Sequence, residues 1–328
     1  EKVLNIEKKY NNKFKIEISM NKVKLNDLID EIYKKTYVEK ADKSLKIVGD
    51  EFFYYTGREG NEIDKSELYS LISKKIKDFD DSELNIAIKI DEPKEVPVDE
   101  IEKLINVPVK EVTYRLIDNE IKIIESSMGF RYTKSEIKEF LKSTESVKDE
   151  KIRIPVNEII PEYTSEEAEK LLFNSTLASE NMKFIYTIFP YDRFNNVKKS
   201  ISQLDEYVVL PGEVFSFNKV IGECTIEKGY LDGGTLYNGE NSSGVGAGIC
   251  QTVSLLNMAV TNTGLEIIEK TNSQENAKYI DDEVNLDISY PNIDYKFKNT
   301  TLFPIKILGK VSDKGEINIS IIGTKSDL

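Results

Sequence analysis

The feature that most constrains the fold of this chain is an internal repeat between residues 37 and 172. Both copies show the order strand, strand, glycine turn, helix, strand, proline. The opening strands are Ser44–Val48 and Glu51–Tyr55 in the first copy, and Thr113–Ile117 and Glu120–Ile124 in the second. A unit of this size is too small to bury its own apolar face. We therefore expect the copies to pack together or against the rest of the chain.

Around this repeat we predict an α+β protein of several parts. The expected order is an N-terminal strand and helix segment (1–36), a first repeat (37–107), a second repeat (108–172), a linker (173–183) and a mixed α+β domain (184–328). Small polar residues dominate the predicted linker, as is typical of a domain junction.

Composition excludes several classes of function. The net charge of −13 gives no basic face for nucleic acid, so no nucleic-acid partner is expected. Two cysteines and no histidine leave few soft ligands, so we expect neither a transition metal nor a cofactor. No stretch approaches 18 consecutive apolar residues. Because the sequence starts at Glu1, we expect any export signal or membrane anchor to lie outside it.

The candidate for chemistry is Cys250, which follows the glycine-rich run Gly244–Gly248 and opens an apolar-periodic helix. The positive end of a helix stabilises a thiolate, which predicts an ionised nucleophile near neutral pH. The glycines would leave room for a substrate, and backbone N–H groups could hold an oxyanion. Two alternatives stay open: a cysteine that is only packed in a tight turn, or a disulfide with Cys224.

The absence of histidine excludes a Cys–His dyad within this chain. Activation of Cys250 must then come from the helix terminus, a nearby cation, or a carboxylate or tyrosine acting as base.

Two family resemblances follow from ordered motifs. Residues 108–164, with Gly129-Phe130 before a helix and Ile154-Pro155-Val156 before a Pro-Tyr-Thr turn, resemble peptidoglycan-binding modules that precede cell-wall cross-linking domains. The first repeat is a weaker likeness. The resemblance implies a spacer or a wall-contacting module.

Residues 184–323 resemble the VanW domain. The motifs that carry the likeness are Asp192-Arg193-Phe194-Asn195-Asn196-Val197, Leu210-Pro211-Gly212-Glu213-Val214-Phe215-Ser216-Phe217-Asn218, Gly222, Gly229-Tyr230, Gly246-Ala247-Gly248-Ile249-Cys250-Gln251, Leu265-Glu266-Ile267-Ile268-Glu269, Tyr279 and Ile293-Asp294-Tyr295-Lys296-Phe297-Lys298-Asn299. Several motifs in one order are more specific than any single pattern.

The VanW likeness implies an enzyme. VanW proteins that follow peptidoglycan-binding modules are similar to clostridial L,D-transpeptidases, in which the cysteine at position 250 is catalytic and peptidoglycan stem peptides are joined by 3–3 cross-links. This chain departs from the pattern where relatives carry a His-Ser pair near Thr271–Gln274 and an aspartate near Asn285. Asp287 and Asp294 are then the candidate bases.

The other site candidates each have a structural alternative. Gln251 could donate to an oxyanion or only to the helix start, and Arg193 could hold a stem carboxylate or an acidic neighbour. Ser254 lies one turn after Cys250 and shares its face. The further candidate substrate contacts, weighed against packing or backbone capping, are Ser216, Asn218, Tyr230, Gly246 and Gly248.

We therefore expect an extracytoplasmic enzyme of the cell envelope, anchored to the membrane by a segment outside this sequence, with peptidoglycan stem peptides as partners. The alternative is a protein that binds or scaffolds peptidoglycan without turnover. A third interpretation is a redox pair of Cys224 and Cys250.

Overall fold

A computed structural model describes residues 3–9, 13–186, 191–237, 240–242, 244–274, 280 and 284–325. Tyr279, named above as part of a family motif, lies outside the described residues. The chain divides into two compact units. Unit 1 comprises residues 1–109 and 128–160, and unit 2 comprises residues 110–127 and 161–328.

The elements mix helices and strands, as the predicted α+β class requires. The helices are α1 (Lys22–Thr36), α2 (Lys65–Asp78), α3 (Val98–Ile105), α4 (Lys134–Thr144), α5 (Ser165–Leu171), α6 (Tyr191–Leu204), α7 (Phe217–Ile221) and α8 (Ile249–Thr263). The strands are β1 (Val3–Lys9), β2 (Lys13–Ser19), β3 (Ser44–Val48), β4 (Glu51–Tyr55), β5 (Gly60–Ile63), β6 (Ile88–Asp91), β7 (Thr113–Ile117), β8 (Glu120–Ile124), β9 (Gly129–Arg131), β10 (Lys151–Arg153), β11 (Asn157–Ile159), β12 (Ser175–Lys183), β13 (Tyr207–Val209), β14 (Val214–Ser216), β15 (Thr235–Tyr237), β16 (Glu240–Ser242), β17 (Glu266–Glu269), β18 (Lys296–Lys298), β19 (Ile305–Val311) and β20 (Glu316–Gly323).

Within the described ranges, the longest helices, α1 and α8, have 15 residues. None of the helices found there combines the length and the hydrophobicity that a membrane crossing demands.

In unit 1 the hairpin of the first repeat packs with the helix of the second. β4 pairs in antiparallel register with β10. Phe52 of β4 meets Phe130 edge to face, with ring centroids 5.1 Å apart. Ile101 of α3 and Ile137 of α4 are buried in the same core. The apolar face of the β3–β4 hairpin is thus covered by elements that come later in the chain.

The helix of the first repeat, α2, packs instead on the N-terminal helix α1. Leu68 of α2 is buried with Leu25 and Ile29 of α1 and with Ile63 of β5. Helix α1 of the N-terminal segment therefore forms a core with the first repeat.

The hairpin of the second repeat belongs to unit 2. Tyr114 of β7 is buried there with Ala168 of α5 and Phe303. The compact units therefore differ from the predicted repeats, because residues 128–160 of the second repeat belong to unit 1 whereas its hairpin belongs to unit 2.

Unit 2 contains a four-stranded antiparallel sheet of order β12-β20-β19-β13. Its strand β12 occupies most of residues 173–183, where the sequence predicts a linker. Ser175 pairs with Gly323, and Lys183 pairs with Glu316. The linker prediction is wrong for Ser175–Lys183, because pairing with β20, irregular only between Thr176 and Ala178, overrides the turn preference of these polar side chains.

Helix α8 lies in the main core of unit 2. Val253, Leu255, Leu256 and Val260 are fully buried, and α8 contacts both β12 and β20. A helix that is buried on most of its surface is held firmly in place. The cysteine near its N-terminus is therefore positioned by the sheet below it.

Candidate active site around Cys250

The glycine-rich loop ends where the sequence predicts a helix to begin. Gly248 is the N-cap residue of α8, and Cys250 is the second residue of the helix. Gly246 and Gly248 have φ values of +85° and +111°, a region that L side chains rarely adopt. The position of Cys250 in the first helical turn is thus fixed by two left-handed glycines.

These glycines serve close packing, and they do not leave open space. A Cβ atom on Gly248 would lie 2.9 Å from both the carbonyl oxygen of Arg193 and Cγ2 of Val197. A Cβ atom on Gly246 would lie 2.5 Å from Cβ of Cys224. Both glycines are buried. The expectation that they clear room for a substrate is wrong, because the space beside them is filled by the protein itself.

Asn196 holds the loop from the opposite side. Its Nδ2 donates to the carbonyls of Leu231, at 2.8 Å, and Ala247, at 3.0 Å. Its Oδ1 accepts from the N–H of Leu231 at 2.8 Å. Asn196 is not among the predicted site residues, because a buried asparagine on an amphipathic helix has no sequence signature of its own. Its place in the motif 192–197 is the signal that could have found it.

Most backbone N–H groups of the glycine-rich loop already donate hydrogen bonds within the protein. The N–H groups of Gly246, Ala247, Ile249 and Gln251 donate to backbone carbonyls at distances of 3.0 to 3.2 Å. Within the described part of the chain, the N–H groups of Gly248 and Cys250 have no backbone acceptor. The set of amides available to an oxyanion is therefore narrower than the predicted range Gly248 to Gln251.

Arg193 and Gln251 meet beside the cysteine. Nε of Arg193 donates to Oε1 of Gln251 at 3.2 Å. Gln251 is buried, with 1% of its surface exposed, and Arg193 is half-buried. The positive charge of Arg193 also acts on the Cys250 thiol. In this structure Arg193 thus contacts the residue that follows the cysteine.

A segment from outside α8 completes the site. Oγ of Ser254 donates to the carbonyl of Cys250 at 2.7 Å and accepts from the N–H of Leu286 at 2.9 Å. The N–H of Ile288 faces the sulfur of Cys250, and the charge of Asp287 acts on it. Ser254 is fully buried with its hydroxyl engaged by protein, so it holds the segment in place and does not meet a substrate.

Cys250 is half-buried. Burial raises the pKa of its thiol, and the negative charge of Asp287 acts in the same direction. The N–H of Ile288 and the charge of Arg193 oppose this rise and do not overcome it. A raised pKa favours the protonated thiol at neutral pH and disfavours the predicted thiolate in the free protein.

Three predicted site residues form a cluster of their own. Asp294 accepts from Oγ of Ser216 at 2.6 Å and from the N–H of Asn218 at 2.9 Å. Nδ2 of Asn218 donates to the carbonyl of Ile293 at 2.9 Å. Ser216 is also the N-cap of α7. These side chains fix the short helix α7 to the β18 segment, as the capping alternative anticipates.

Tyr230 and Cys224 are packing residues in this structure. Tyr230 is fully buried, and its hydroxyl donates to Oε1 of Gln203 at 2.6 Å. Burial raises the pKa of Tyr230 well above its usual range. Cys224 packs against Gly246, and both cysteines are free thiols. The structure therefore places Tyr230 in the core instead of at a cleft wall.

Comparison with known families gives two matches. Residues 192–322 match the family described as "VanW like protein", and residues 2–85 match the family described as "Putative peptidoglycan binding domain". The first range contains all of the site residues described above. The second range takes in the N-terminal segment and most of the first repeat.

Two curated relatives are similar to part of the chain. The chain is 34% identical over 160 residues, 49% of its length and 52% of the relative's, to "Uncharacterized protein YoaR" of Bacillus subtilis (strain 168). It is 31% identical over 137 residues, 40% of its length and 50% of the relative's, to "Vancomycin B-type resistance protein VanW" of Enterococcus faecalis (strain ATCC 700802 / V583). The chain spans about half the length of these relatives. No solved structure matches it.

The match to a family of peptidoglycan-binding domains suggests a function related to the cell wall. Residues 192–322 are similar to the VanW-like family, residues 2–85 are similar to the family described as "Putative peptidoglycan binding domain", and the chain is a homologue of YoaR and VanW.

Proposed function

We propose that this protein is an L,D-transpeptidase that joins peptidoglycan stem peptides by 3–3 cross-links through a thioester on Cys250. The observation that carries the proposal is the set of groups around one cysteine in the first turn of a buried helix: a cation, a carboxylate, and two backbone N–H groups with no backbone acceptor in the described part of the chain. Nucleophile, charge partner and oxyanion donors are the parts that acyl transfer needs.

In the first step the sulfur of Cys250 attacks the carbonyl carbon of the third residue of a tetrapeptide stem. The C–S bond forms and the C–N bond to the terminal D-residue breaks. The thiol proton passes to a base and then to the departing amine, so that the base returns to its starting protonation state. Asp287 is the candidate base, because its charge acts on the sulfur, whereas the carboxylate of Asp294 is engaged with Ser216 and Asn218.

In the second step the side-chain amine of an acceptor stem attacks the thioester. The new amide bond forms, the C–S bond breaks, and the amine's proton returns to the sulfur. The N–H groups of Gly248 and Cys250 are the backbone donors for the oxyanion of each tetrahedral intermediate. Splitting one exchange into two acyl transfers is the advantage of covalent catalysis.

The comparisons support a substrate in the cell wall. One domain is of a peptidoglycan-binding family, and one homologue bears the name of a vancomycin resistance protein. Peptidoglycan stems outside the cytoplasm are the polymer that fits both. A wall-binding domain would raise the local concentration of stems at the Cys250 site.

The test is incubation with a tetrapeptide-bearing muropeptide, followed by intact-protein mass spectrometry. We expect an adduct with the mass of the stem minus its terminal residue. It should be absent in Cys250→Ala and present in Cys224→Ala, which removes the other thiol. Loss of the adduct in Cys224→Ala alone, or 3–3 product formation by Cys250→Ala, would contradict the proposal.

A second function, binding of peptidoglycan without turnover, is favoured by one observation. Burial raises the pKa of the Cys250 thiol, and the chain has no histidine to remove its proton. Co-sedimentation with purified peptidoglycan, combined with an unchanged muropeptide profile after long incubation, would select this function over catalysis.

A further inference from the structure

The side-chain amide of Gln251 is buried, and its oxygen has a hydrogen-bond partner whereas its nitrogen has none among the described residues. Oε1 accepts from Nε of Arg193 at 3.2 Å. Nε2 is buried and has no hydrogen-bond partner among the described residues. Buried polar groups in folded proteins nearly always have a partner, so an orphaned amide nitrogen requires an explanation.

The contact with Arg193 decides which way the amide faces. A guanidinium group only donates, so the acceptor that meets it must be the oxygen of the amide. The NH₂ group of Gln251 then points away from Arg193 with both hydrogens unused. Rotation of the amide would not help, because it would bring two donors together.

The neighbours of Gln251 show that an apolar residue would fit its position. Val253, Leu255 and Leu256 in the same helix are fully buried, and a leucine or methionine at position 251 would carry no desolvation cost. The orphaned donor lies in the residue next to Cys250, and Arg193 acts on both residues. An acceptor that arrives with the substrate would explain why a donor without a partner is buried at this position.

We propose that Nε2 of Gln251 donates to an oxygen of the peptide acyl group that approaches Cys250, and that Arg193 is a positioning residue acting through Gln251. This inference rests on the proposed function and names the recognition element of the same site. The ligand class is a peptide with a carbonyl or carboxylate oxygen at the attacked position. Arg193 itself is not required to touch the substrate.

The surroundings of Arg193 support a positioning role. A Cβ atom on Gly233 would lie 2.8 Å from Cα of Arg193, and one on Gly248 would lie 3.1 Å from its Cγ. Two glycines thus bring the backbone close to both sides of this arginine. The backbone and the base of this side chain are therefore confined, and its Nε is directed at Gln251.

Two substitutions at position 251 separate recognition from structure. Gln251→Glu keeps an acceptor for Arg193 but replaces the donor, and Gln251→Met removes both without adding charge. We expect the rate of adduct formation on Cys250 to fall roughly 100-fold in each, as for loss of one oxyanion donor. Gln203→Met is the matched control, since Gln203 is a partly buried glutamine whose Oε1 only accepts from Tyr230. It should keep the wild-type rate.

Arg193→Met tests the positioning role. If Arg193 acts through Gln251, the double variant Arg193→Met/Gln251→Met should be no slower than Gln251→Met alone. Additive losses would show a separate function of Arg193 and overturn that half of the inference. The pH profile of Cys250 alkylation in each variant corrects for changes in the thiol pKa.

Binding without chemistry distinguishes this inference from the proposed function. In Cys250→Ala, titration with the tetrapeptide muropeptide should show binding that weakens about tenfold on adding Gln251→Glu, the cost of one hydrogen bond of about 1.4 kcal/mol. If the wild type forms an adduct and both variants at 251 stay within threefold of its rate, the inference is wrong and the proposed function stands. If no adduct forms but binding depends on Gln251, the proposed function is wrong and the recognition role stands.

Discussion

Ser254 accepts a hydrogen bond from the backbone N–H of Leu286 at 2.9 Å, which joins the helix that carries Cys250 to the segment that carries Asp287. The same hydroxyl donates to the carbonyl of Cys250 at 2.7 Å. One buried side chain therefore fixes the distance between a thiol and the carboxylate whose charge acts on it. The arrangement of the site depends on this contact as much as on the cysteine.

Ser254→Ala should destabilise the protein. The substitution leaves the buried N–H of Leu286 without an acceptor, at a cost of about 1–3 kcal/mol. Urea denaturation measures the change. Ser202→Ala is the matched control, because Ser202 is exposed and its hydroxyl donates to the carbonyl of Lys199 at 2.7 Å. Its change should stay within about 0.5 kcal/mol, and equal losses in the two variants would contradict the prediction.

Gly248→Ala should cost more than Gly264→Ala. Both glycines have positive φ, +111° and +75°, so each alanine carries backbone strain. Only at Gly248 would the added Cβ lie 2.9 Å from the Arg193 carbonyl, whereas the space around Gly264 is open. We expect a difference of about 2 kcal/mol in the free energy of unfolding. Thermal unfolding of both variants shows whether the two losses differ.

Asp287→Asn should change two measurements in opposite directions. Removing its negative charge lowers the pKa of the Cys250 thiol, so alkylation by iodoacetamide at pH 7 should become several-fold faster. Adduct formation with the muropeptide should become slower if Asp287 takes the thiol proton. Asp313→Asn, at an almost fully exposed aspartate, is the control and should change neither rate. Faster transfer in Asp287→Asn would show that the carboxylate acts only through its charge.

The stability of the protein should fall at high pH because of Cys250. Burial raises the pKa of this thiol in the folded state above its value in the unfolded chain. The contribution of the protonated Cys250 thiol to the free energy of unfolding is therefore fully present below the pKa of cysteine in the unfolded chain, which is about 8.5. It is lost as the pH rises through the pKa of Cys250 in the folded state. Relative to Cys250→Ser, the wild type should lose stability as the pH rises above about 8.5 and through the folded-state pKa. A Cys250 alkylation midpoint below pH 7 would contradict the raised pKa.

Local sequence signals predicted the framework of the site well. Helix α8 begins beside the glycines, as predicted, because positive φ values at Gly246 and Gly248 can only be met cheaply by glycine. The opening strands of both repeats form at the predicted residues, since β-branched and aromatic residues are frequent there. Each of these signals is contained in a few neighbouring residues.

Partners that are distant in sequence could not be predicted. The ionisation of Cys250 depends on how far folding buries the thiol away from water. Ser216 and Asn218 donate hydrogen bonds to Asp294 at α7 and not beside the thiol. Strand β12 was missed because its pairing residues on β20 lie about 140 positions away. No local periodicity reports such contacts.

That pairing between β12 and β20 has a consequence for biosynthesis. Helix α8 packs on both strands, and β20 is made only after every other element of the domain. The sheet on which α8 packs cannot form until β20 has been synthesised. Pairing between strands so distant in sequence is slow. We therefore expect the residues around the Cys250 thiol to assemble only after β20 has been made. Before then the thiol should be unreactive toward acyl groups.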